Sequence, residues 1–196
     1  MRIDRRKLLV ALTALTLGAG LVACNRQAAA NQDPGQSKVK IVSDQEPGEP
    51  LIVSGTIYSP DGKQPLPGIT LNIYQTDATG RYSTSGGDNR GTRIHGTMRT
   101  NAEGRYEFRT IKPASYPNSR NPAHIHAYVS GPDYPEYWIE EYLFADDAFI
   151  KDEDKQKAGS QGSFSHILNL TRGSDGILRA VRDIKIERCT KNCTGR

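Results

Sequence analysis

Residues 116–130 read Tyr-Pro-Asn-Ser-Arg-Asn-Pro-Ala-His-Ile-His-Ala-Tyr-Val-Ser. The second half of this stretch is apolar and partly β-branched, which predicts a β-strand. Because side chains two residues apart project from the same face of a strand, His124 and His126 can both reach one point. Tyr116 precedes them on a loop that neighbouring prolines stiffen. A phenol and two imidazoles that converge predict a metal site, although a His-x-His pair also fits a plain strand surface.

The residues around the His124 and His126 pair indicate which metal ion the site would favour. The chain has neither the His-Glu spacing of zinc proteases nor a cysteine cluster for structural zinc. It also lacks the close His-x-Asp pair of ferrous oxygenases. Phenols are therefore the expected anionic partners. A phenol must lose its proton to bind a metal, and a small, highly charged cation such as ferric iron favours this most strongly.

Four segments occur in a fixed order between residues 55 and 149. Taken together they resemble the intradiol ring-cleavage dioxygenases, the family of protocatechuate 3,4- and catechol 1,2-dioxygenases, over about half of the chain. The resemblance implies a non-haem Fe(III) ion held by two tyrosinates and two histidines, which are Tyr82, Tyr116, His124 and His126 here. The segments are Gly80-Arg-Tyr82, Gly104-Arg-Tyr-Glu-Phe-Arg-Thr-Ile-Lys-Pro113, Tyr116-Pro117 and Pro122-Ala-His-Ile-His126.

The resemblance also implies a reaction. Such an enzyme takes a catechol and dioxygen as substrates and opens the aromatic ring between the two hydroxyl-bearing carbons. The product is a cis,cis-muconate-type diacid. Tyr82 is the ligand that we expect the substrate to displace, and its oxygen is the candidate acceptor of a substrate proton.

One position departs from the family pattern. The family usually has an arginine three residues before the first histidine, where this chain has Asn121. Asparagine carries no charge, and the loss of such electrostatic help lowers rates by orders of magnitude. Arg120 is adjacent, but neighbouring side chains on a strand point to opposite faces. Tyr82, Asn121 and Arg120 are thus the catalytic candidates, and we expect reduced activity or an unusual catechol.

The first 23 residues predict a signal peptide, with a basic start followed by an apolar run too short for an ordinary membrane span. Leu21-Val-Ala-Cys24 resembles the lipobox of bacterial lipoproteins, so Cys24 is the predicted lipidation site. The alternative is an uncleaved anchor helix. Either interpretation predicts a membrane-anchored protein whose domain lies outside the cytoplasm. Arg5-Arg6 is compatible with twin-arginine export and also with an ordinary basic leader.

The chain carries a net charge of +4 at pH 7, most of which lies in the leader. The remainder is nearly neutral and gives no support for nucleic-acid binding. Residues 24–50 are polar and rich in Gln, Ala, Asp, Gly and Pro, which predicts a flexible tether. Residues 51–188 are the predicted dioxygenase-like domain, and residues 189–196 are a C-terminal tail.

The domain is predicted to be all-β, a sandwich of mixed strands with long loops and few short helices. Residues 51–58 and 69–75 alternate between apolar and polar, and a Pro-Asp-Gly turn lies between them. A short surface helix is expected within residues 146–158, and a closing hairpin within residues 164–187. His95 and Tyr106 lie in strand candidates, where we predict structural roles.

Cys189 and Cys193 remain once Cys24 is lipidated. A disulfide between them fits an exported protein, and two free thiols are the alternative. Two other functions stay open. One is a non-catalytic lipoprotein that binds iron or a catechol on the same scaffold. The other is a plain β-sandwich adhesion or carbohydrate module, in which the four candidate ligands are coincidental.

Overall fold

Two β-sheets that share one hydrophobic core form the framework of residues 35–83 and 89–187, which are the residues that this computed structural model describes. The predicted leader, Cys24, Cys189, Cys193 and the C-terminal tail lie outside the described residues. The strands are β1 (Lys38–Lys40), β2 (Pro50–Tyr58), β3 (Thr70–Gln75), β4 (His95–Arg99), β5 (Arg105–Ile111), β6 (His124–Gly131), β7 (Tyr134–Phe144), β8 (Ile167–Leu168), β9 (Thr171–Arg172), β10 (Leu178–Val181) and β11 (Ile184–Lys185). The helices are α1 (Asp152–Gly159) and two 3₁₀ turns, Asn89–Gly91 and Gly162–Phe164.

The two sheets have mixed strand directions. The first has the order β1-β5-β2-β10-β9, with β11 also paired to β2. The second has the order β4-β3-β6-β7-β8. The β2–β5 and β3–β6 pairs are antiparallel, whereas β10 runs parallel to β2. This architecture confirms the prediction of an all-β sandwich with few short helices.

Alternation along β6 separates the core from the candidate site. Ile125, Ala127 and Val129 are fully buried between the sheets. Since adjacent side chains of a strand point to opposite faces, His124 and His126 lie on the outer face of the second sheet. The burial of three apolar residues thus fixes the direction in which both imidazoles project.

The expected tether of residues 24–50 is wrong for its second half. Lys38–Lys40 form the edge strand β1, which runs parallel to β5. Val39 and Ile41 are buried in the core, and the Ile41 amide donates to the Arg109 carbonyl at 2.9 Å. Two apolar residues among polar neighbours are too short a pattern to predict a strand, because the pairing partner that stabilises them lies far along the chain.

The C-terminal part of the domain confirms some expectations and corrects one. Helix α1 overlaps the predicted helical region and ends one residue beyond it, and β9 and β10 form the expected hairpin around residues 173–176. However, β8 pairs with β7 in the other sheet, and β11 pairs with β2. Both pairings are parallel, and local sequence patterns carry no signal for a partner so distant. None of the helices in the described ranges is long and apolar enough to cross a membrane.

Candidate metal centre

The two histidines of β6 bring their imidazoles together on the outer face. Their Nε2 atoms lie 3.1 Å apart. His124 Nδ1 lies 2.7 Å from the Pro122 carbonyl oxygen, a contact that assigns a proton to Nδ1. His126 Nδ1 lies 3.6 Å from the Glu141 carboxylate, which favours a proton there electrostatically. Both imidazoles therefore present an Nε2 lone pair to the same point.

Tyr116 reaches the imidazoles from the loop that joins β5 to β6. Its carbonyl accepts a hydrogen bond from the Ser119 amide at 3.2 Å, which closes a tight turn. The Tyr116 hydroxyl lies 3.0 Å from His124 Nε2 and 3.3 Å from His126 Nε2. Tyr116 thus contacts both histidines through one oxygen.

Tyr82 arrives from the loop that follows β3. The Asp77 carboxylate shapes this loop, because it accepts hydrogen bonds from the amides of Thr79 at 2.8 Å and Arg81 at 3.1 Å. The Tyr82 hydroxyl lies 2.8 Å from the Tyr116 hydroxyl. The four side chains that the resemblance selected are therefore brought together by the fold.

Buried hydrogen bonds fix the positions of the two tyrosine-bearing loops relative to each other. Gln75 is 1% exposed at the end of β3, and its amide donates to the Ile111 carbonyl at the end of β5 at 2.9 Å. The Thr110 hydroxyl donates to the Gln75 side-chain carbonyl at 2.9 Å. One residue further on, the Thr76 hydroxyl donates to the Ala114 carbonyl at 2.9 Å. The loops that carry Tyr82 and Tyr116 thus emerge from strand ends that are bonded to each other.

Burial sets the protonation of the cluster. It raises the pKa of Tyr82 well above its ordinary value, and the hydrogen bond with Tyr116 adds to this rise. Burial also lowers the pKa of His126 to about 4, with a further contribution from His124. At neutral pH without a cation, Tyr82 is consequently a neutral phenol and His126 a neutral imidazole.

The arrangement fits a single bound cation. Two Nε2 lone pairs face each other, and the Tyr116 hydroxyl can donate its proton to only one of them at a time. Two donors each about 2.1 Å from one metal ion, at a right angle, are about 3.0 Å apart. The four donor–donor separations of 2.8 to 3.3 Å agree with that spacing. In the described part of the chain, no three His, Cys, Asp or Glu side chains group as a metal site, so this centre depends on phenol oxygens.

Three residues that lie near the histidines were not predicted from the sequence. Tyr74 is paired with His126 across β3 and β6, and its ring stacks on the imidazole with centroids 4.6 Å apart. Trp138 meets His126 edge-on at 6.1 Å, and Glu141 is the acidic neighbour of His126 Nδ1. All three are on strands next to β6. Their alternation is visible in the sequence, but the strand pairing that brings them to His126 is not.

Among the described residues, the other candidates form their hydrogen bonds outside the cluster. Arg120 and Asn121 have exposed side chains, and within the described residues neither is hydrogen-bonded to the four clustered side chains. His95 Nδ1 contacts the Thr92 carbonyl at 2.5 Å. Tyr106 is buried and donates to the Arg182 carbonyl at 2.7 Å. The predicted structural roles of His95 and Tyr106 agree with these contacts.

Comparisons with known proteins give the same family as the sequence resemblance. The family described as "Dioxygenase" matches residues 25–177. Catechol 1,2-dioxygenase 1 of Acinetobacter lwoffii is 32% identical over 121 residues, which are 53% of this chain and 38% of that protein. The protocatechuate 3,4-dioxygenase beta chain of Burkholderia cepacia is 31% identical over 114 residues, 53% of this chain and 48% of that one. The chain therefore spans less than half the length of these two relatives.

Solved structures share the fold. The dioxygenase domain of a dioxygenase carbohydrate-binding protein fusion from Streptomyces sp. SirexAA-E superposes with a TM-score of 0.59 at 25% identity, over 80% of this chain and 90% of that one. Catechol 1,2-dioxygenase from Pseudomonas arvilla C-1 has a TM-score of 0.63 at 20% identity, over 83% of this chain and 60% of that one. The family match over residues 25–177 confirms the resemblance, and the chain belongs to the family of intradiol ring-cleavage dioxygenases, which is known to use non-haem iron.

Proposed function

We propose that this chain is an Fe(III)-dependent dioxygenase that opens the ring of a catechol between its two hydroxyl-bearing carbons. Tyr82, Tyr116, His124 and His126 hold the iron. The observation that carries the proposal is the position of the Tyr116 hydroxyl, within 3.3 Å of both imidazoles and 2.8 Å from a second phenol. The names of the relatives support a catechol-type substrate.

The donor set supports ferric iron over softer or less charged ions. The partly buried Tyr82 phenol has a raised pKa, so its ionisation requires a strongly polarising cation. Two phenolates are hard, anionic donors and favour the trivalent ion. When bound, ferric iron supplies Lewis acidity that draws electron density from a catecholate oxygen.

The protein residues orient the donors and handle a proton. The carbonyl of Pro122 fixes the ring of His124, while the stacked Tyr74 ring limits rotation of His126. Tyr116 is central, because its oxygen contacts the other three donors. The Tyr82 oxygen lies at the edge of the cluster, where it contacts the Tyr116 oxygen. Since a raised pKa makes its phenolate a strong base, we assign the Tyr82 Oη as the atom that accepts a proton from a catechol hydroxyl.

Purification of the full chain with ferric iron tests this proposal. Tyrosinate bound to ferric iron absorbs visible light, so the loaded protein should be red-brown. Addition of catechol should shift the colour and then consume one equivalent of dioxygen per ring opened. The Tyr116→Phe variant should lose most of the colour, whereas Tyr58→Phe, a tyrosine packed against Phe164, should keep it. A colourless protein, or equal colour in the Tyr116→Phe variant, would contradict the proposed ligand set.

Non-catalytic iron or catechol binding remains the second candidate, and the exposed Asn121 favours it. The resemblance implies an arginine at this position, and the uncharged side chain of Asn121 would give less electrostatic help to the substrate. The same experiment separates the two functions. A binding protein would show the colour change with catechol in air and would consume no dioxygen.

A further inference from the structure

Arg182 is a buried cation, and two of its guanidinium nitrogens have no hydrogen-bond acceptor among the described residues. The residue is 4% exposed, and among the described residues neither Nε nor Nη1 has a partner. Buried charged groups are ordinarily paired with an opposite charge or fully hydrogen-bonded, because loss of water disfavours the charged form. This arginine therefore requires an explanation that lies beyond the contacts of the fold.

The backbone and the aliphatic part of Arg182 are firmly held. The Arg182 amide donates to the Ser54 carbonyl at 2.9 Å, which continues the pairing of β10 with β2. The Arg182 carbonyl accepts from the Tyr106 hydroxyl at 2.7 Å. The guanidinium carbon lies 4.2 Å from the centre of the buried Tyr142 ring, a favourable cation–π contact. The charge is thus fixed between the two sheets.

A cleft of about 580 Å³ opens beside this residue. It lies between residues 137–140 of β7 and residues 182–187, and Arg182 is part of its lining. Tyr137, Ile139 and Phe164 supply apolar walls. Lys185 adds a second cation, with its Nζ 4.3 Å from the centre of the Phe164 ring. The cleft therefore combines basic groups with an apolar surface.

Acidic side chains of the lining restrict the charge of a ligand. Asp183 lies in the wall, and its carboxylate accepts from the Thr56 amide at 2.8 Å. Glu140 lies 3.2 Å from His166 Nδ1, and Glu187 is exposed at the other end of the lining. These carboxylates repel a multiply charged anion such as phosphate more strongly than a singly charged one.

We propose that this cleft binds a monocarboxylate with an apolar body. The carboxylate accepts a hydrogen bond from Arg182 Nη2, because Nε and Nη1 have almost no accessible surface, and the apolar body lies against Tyr137, Ile139 and Phe164. Trp138 belongs to the lining of the cleft and also lies near the candidate metal centre, where its ring and that of His126 meet edge-on. The site is independent of the proposed ring-cleavage function, and its test requires no turnover.

Titration of the full chain with hexanoate tests the proposal. Calorimetry measures the affinity, and fluorescence of Trp138, the single tryptophan of the chain, reports occupancy of the cleft. Hexanoate should bind more tightly than hexan-1-ol, which lacks the charge, and more tightly than inorganic phosphate. Arg182→Met should weaken hexanoate binding at least tenfold. Arg179→Met removes an exposed arginine that is paired with Asp175, so it should leave binding unchanged.

A rim variant keeps the test decisive if Arg182→Met fails to fold. Gln161→Phe places a bulky ring at an exposed lining position and leaves Arg182 intact, so it should also weaken binding in calorimetry. Absence of hexanoate binding to the unaltered protein would show that no carboxylate ligand hydrogen-bonds to Arg182 in this cleft, and it would overturn the proposal. Equal affinity in the Arg182→Met variant, or tighter binding of hexan-1-ol or phosphate, would do the same.

Discussion

The hydroxyls of Tyr82 and Tyr116 lie 2.8 Å apart, although 34 residues separate them in the sequence. The two loops also pack tightly against each other two residues before Tyr82. Gly80 has φ +76°, and a Cβ at this glycine would lie 1.9 Å from the Ser115 carbonyl oxygen. The contact between the two phenols therefore depends on a position that only glycine can occupy without displacement of a loop.

Gly80→Ala should consequently separate the two tyrosines. A methyl group cannot share space with the Ser115 carbonyl, so one loop must move. We expect a loss of stability on the order of 1 to 3 kcal/mol and weaker iron binding. Denaturant unfolding and the visible absorbance of the iron-loaded protein measure the two effects. Gly91→Ala is the matched control, because a Cβ there meets no atom within 4 Å. Equal stability and colour in both variants would show that the loops tolerate separation.

The polar link between β3 and β5 gives a second prediction. Gln75→Met should keep the volume of the side chain but leave the Ile111 carbonyl and the Thr110 hydroxyl without their partner. Each buried polar group that loses its partner costs about 1 to 3 kcal/mol, so we expect a clear loss of stability. Thermal or denaturant unfolding checks it. The exposed Gln156→Met on α1 should change little, and a similar small change at Gln75 would contradict the structural role.

The sequence predicted this site better than it predicted the parts around it. The alternation of Ile125, Ala127 and Val129 was enough to place His124 and His126 on one face of a strand. The two tyrosines lie on irregular loops without periodicity, so Tyr116 was a candidate only through its closeness to the histidines in sequence, and Tyr82 only through the family resemblance. Tyr74, Trp138 and strand β1 could not be predicted, because each depends on which strands are neighbours. That choice is decided by packing across the whole chain, and no local pattern records it.

The two tyrosines should differ in how much they contribute to metal retention. The Tyr116 oxygen contacts three other donors, whereas within residues 35–83 and 89–187 the Tyr82 oxygen is hydrogen-bonded to Tyr116 alone. We expect Tyr116→Phe to reduce ferric iron affinity by a larger factor than Tyr82→Phe, and Tyr82→Phe to keep part of the colour. Competition with a chelator, followed by visible absorbance, measures both. Greater loss in the Tyr82→Phe variant would reverse the assignment of the central ligand.

Glu141 should support His126 electrostatically. Its carboxylate lies 3.6 Å from His126 Nδ1, where it favours the tautomer that leaves Nε2 free for a metal ion. Glu141→Gln should weaken iron affinity, by about tenfold at the lower end of the range known for such partners. Chelator competition measures the change. Glu140→Gln is a matched control on the adjacent residue, because Glu140 lies near His166 instead. Equal effects of the two variants would indicate a general loss of negative charge.

Asn121→Arg should raise the rate of catechol turnover. Residue 121 lies in the loop between Tyr116 and His124, and its exposed side chain leaves room for a longer one. A guanidinium close to the ligands would stabilise negative charge on the bound substrate, an effect worth about tenfold to a thousandfold in rate at well-placed positions. Oxygen uptake at saturating catechol measures kcat. Arg120→Ala in the unaltered background shows whether the neighbouring arginine already serves this purpose, since kcat would then fall. If Asn121→Arg leaves kcat unchanged while Arg120→Ala lowers it, Arg120 supplies the charge and Asn121 is no defect. If neither change affects kcat, positive charge at this loop does not limit the reaction.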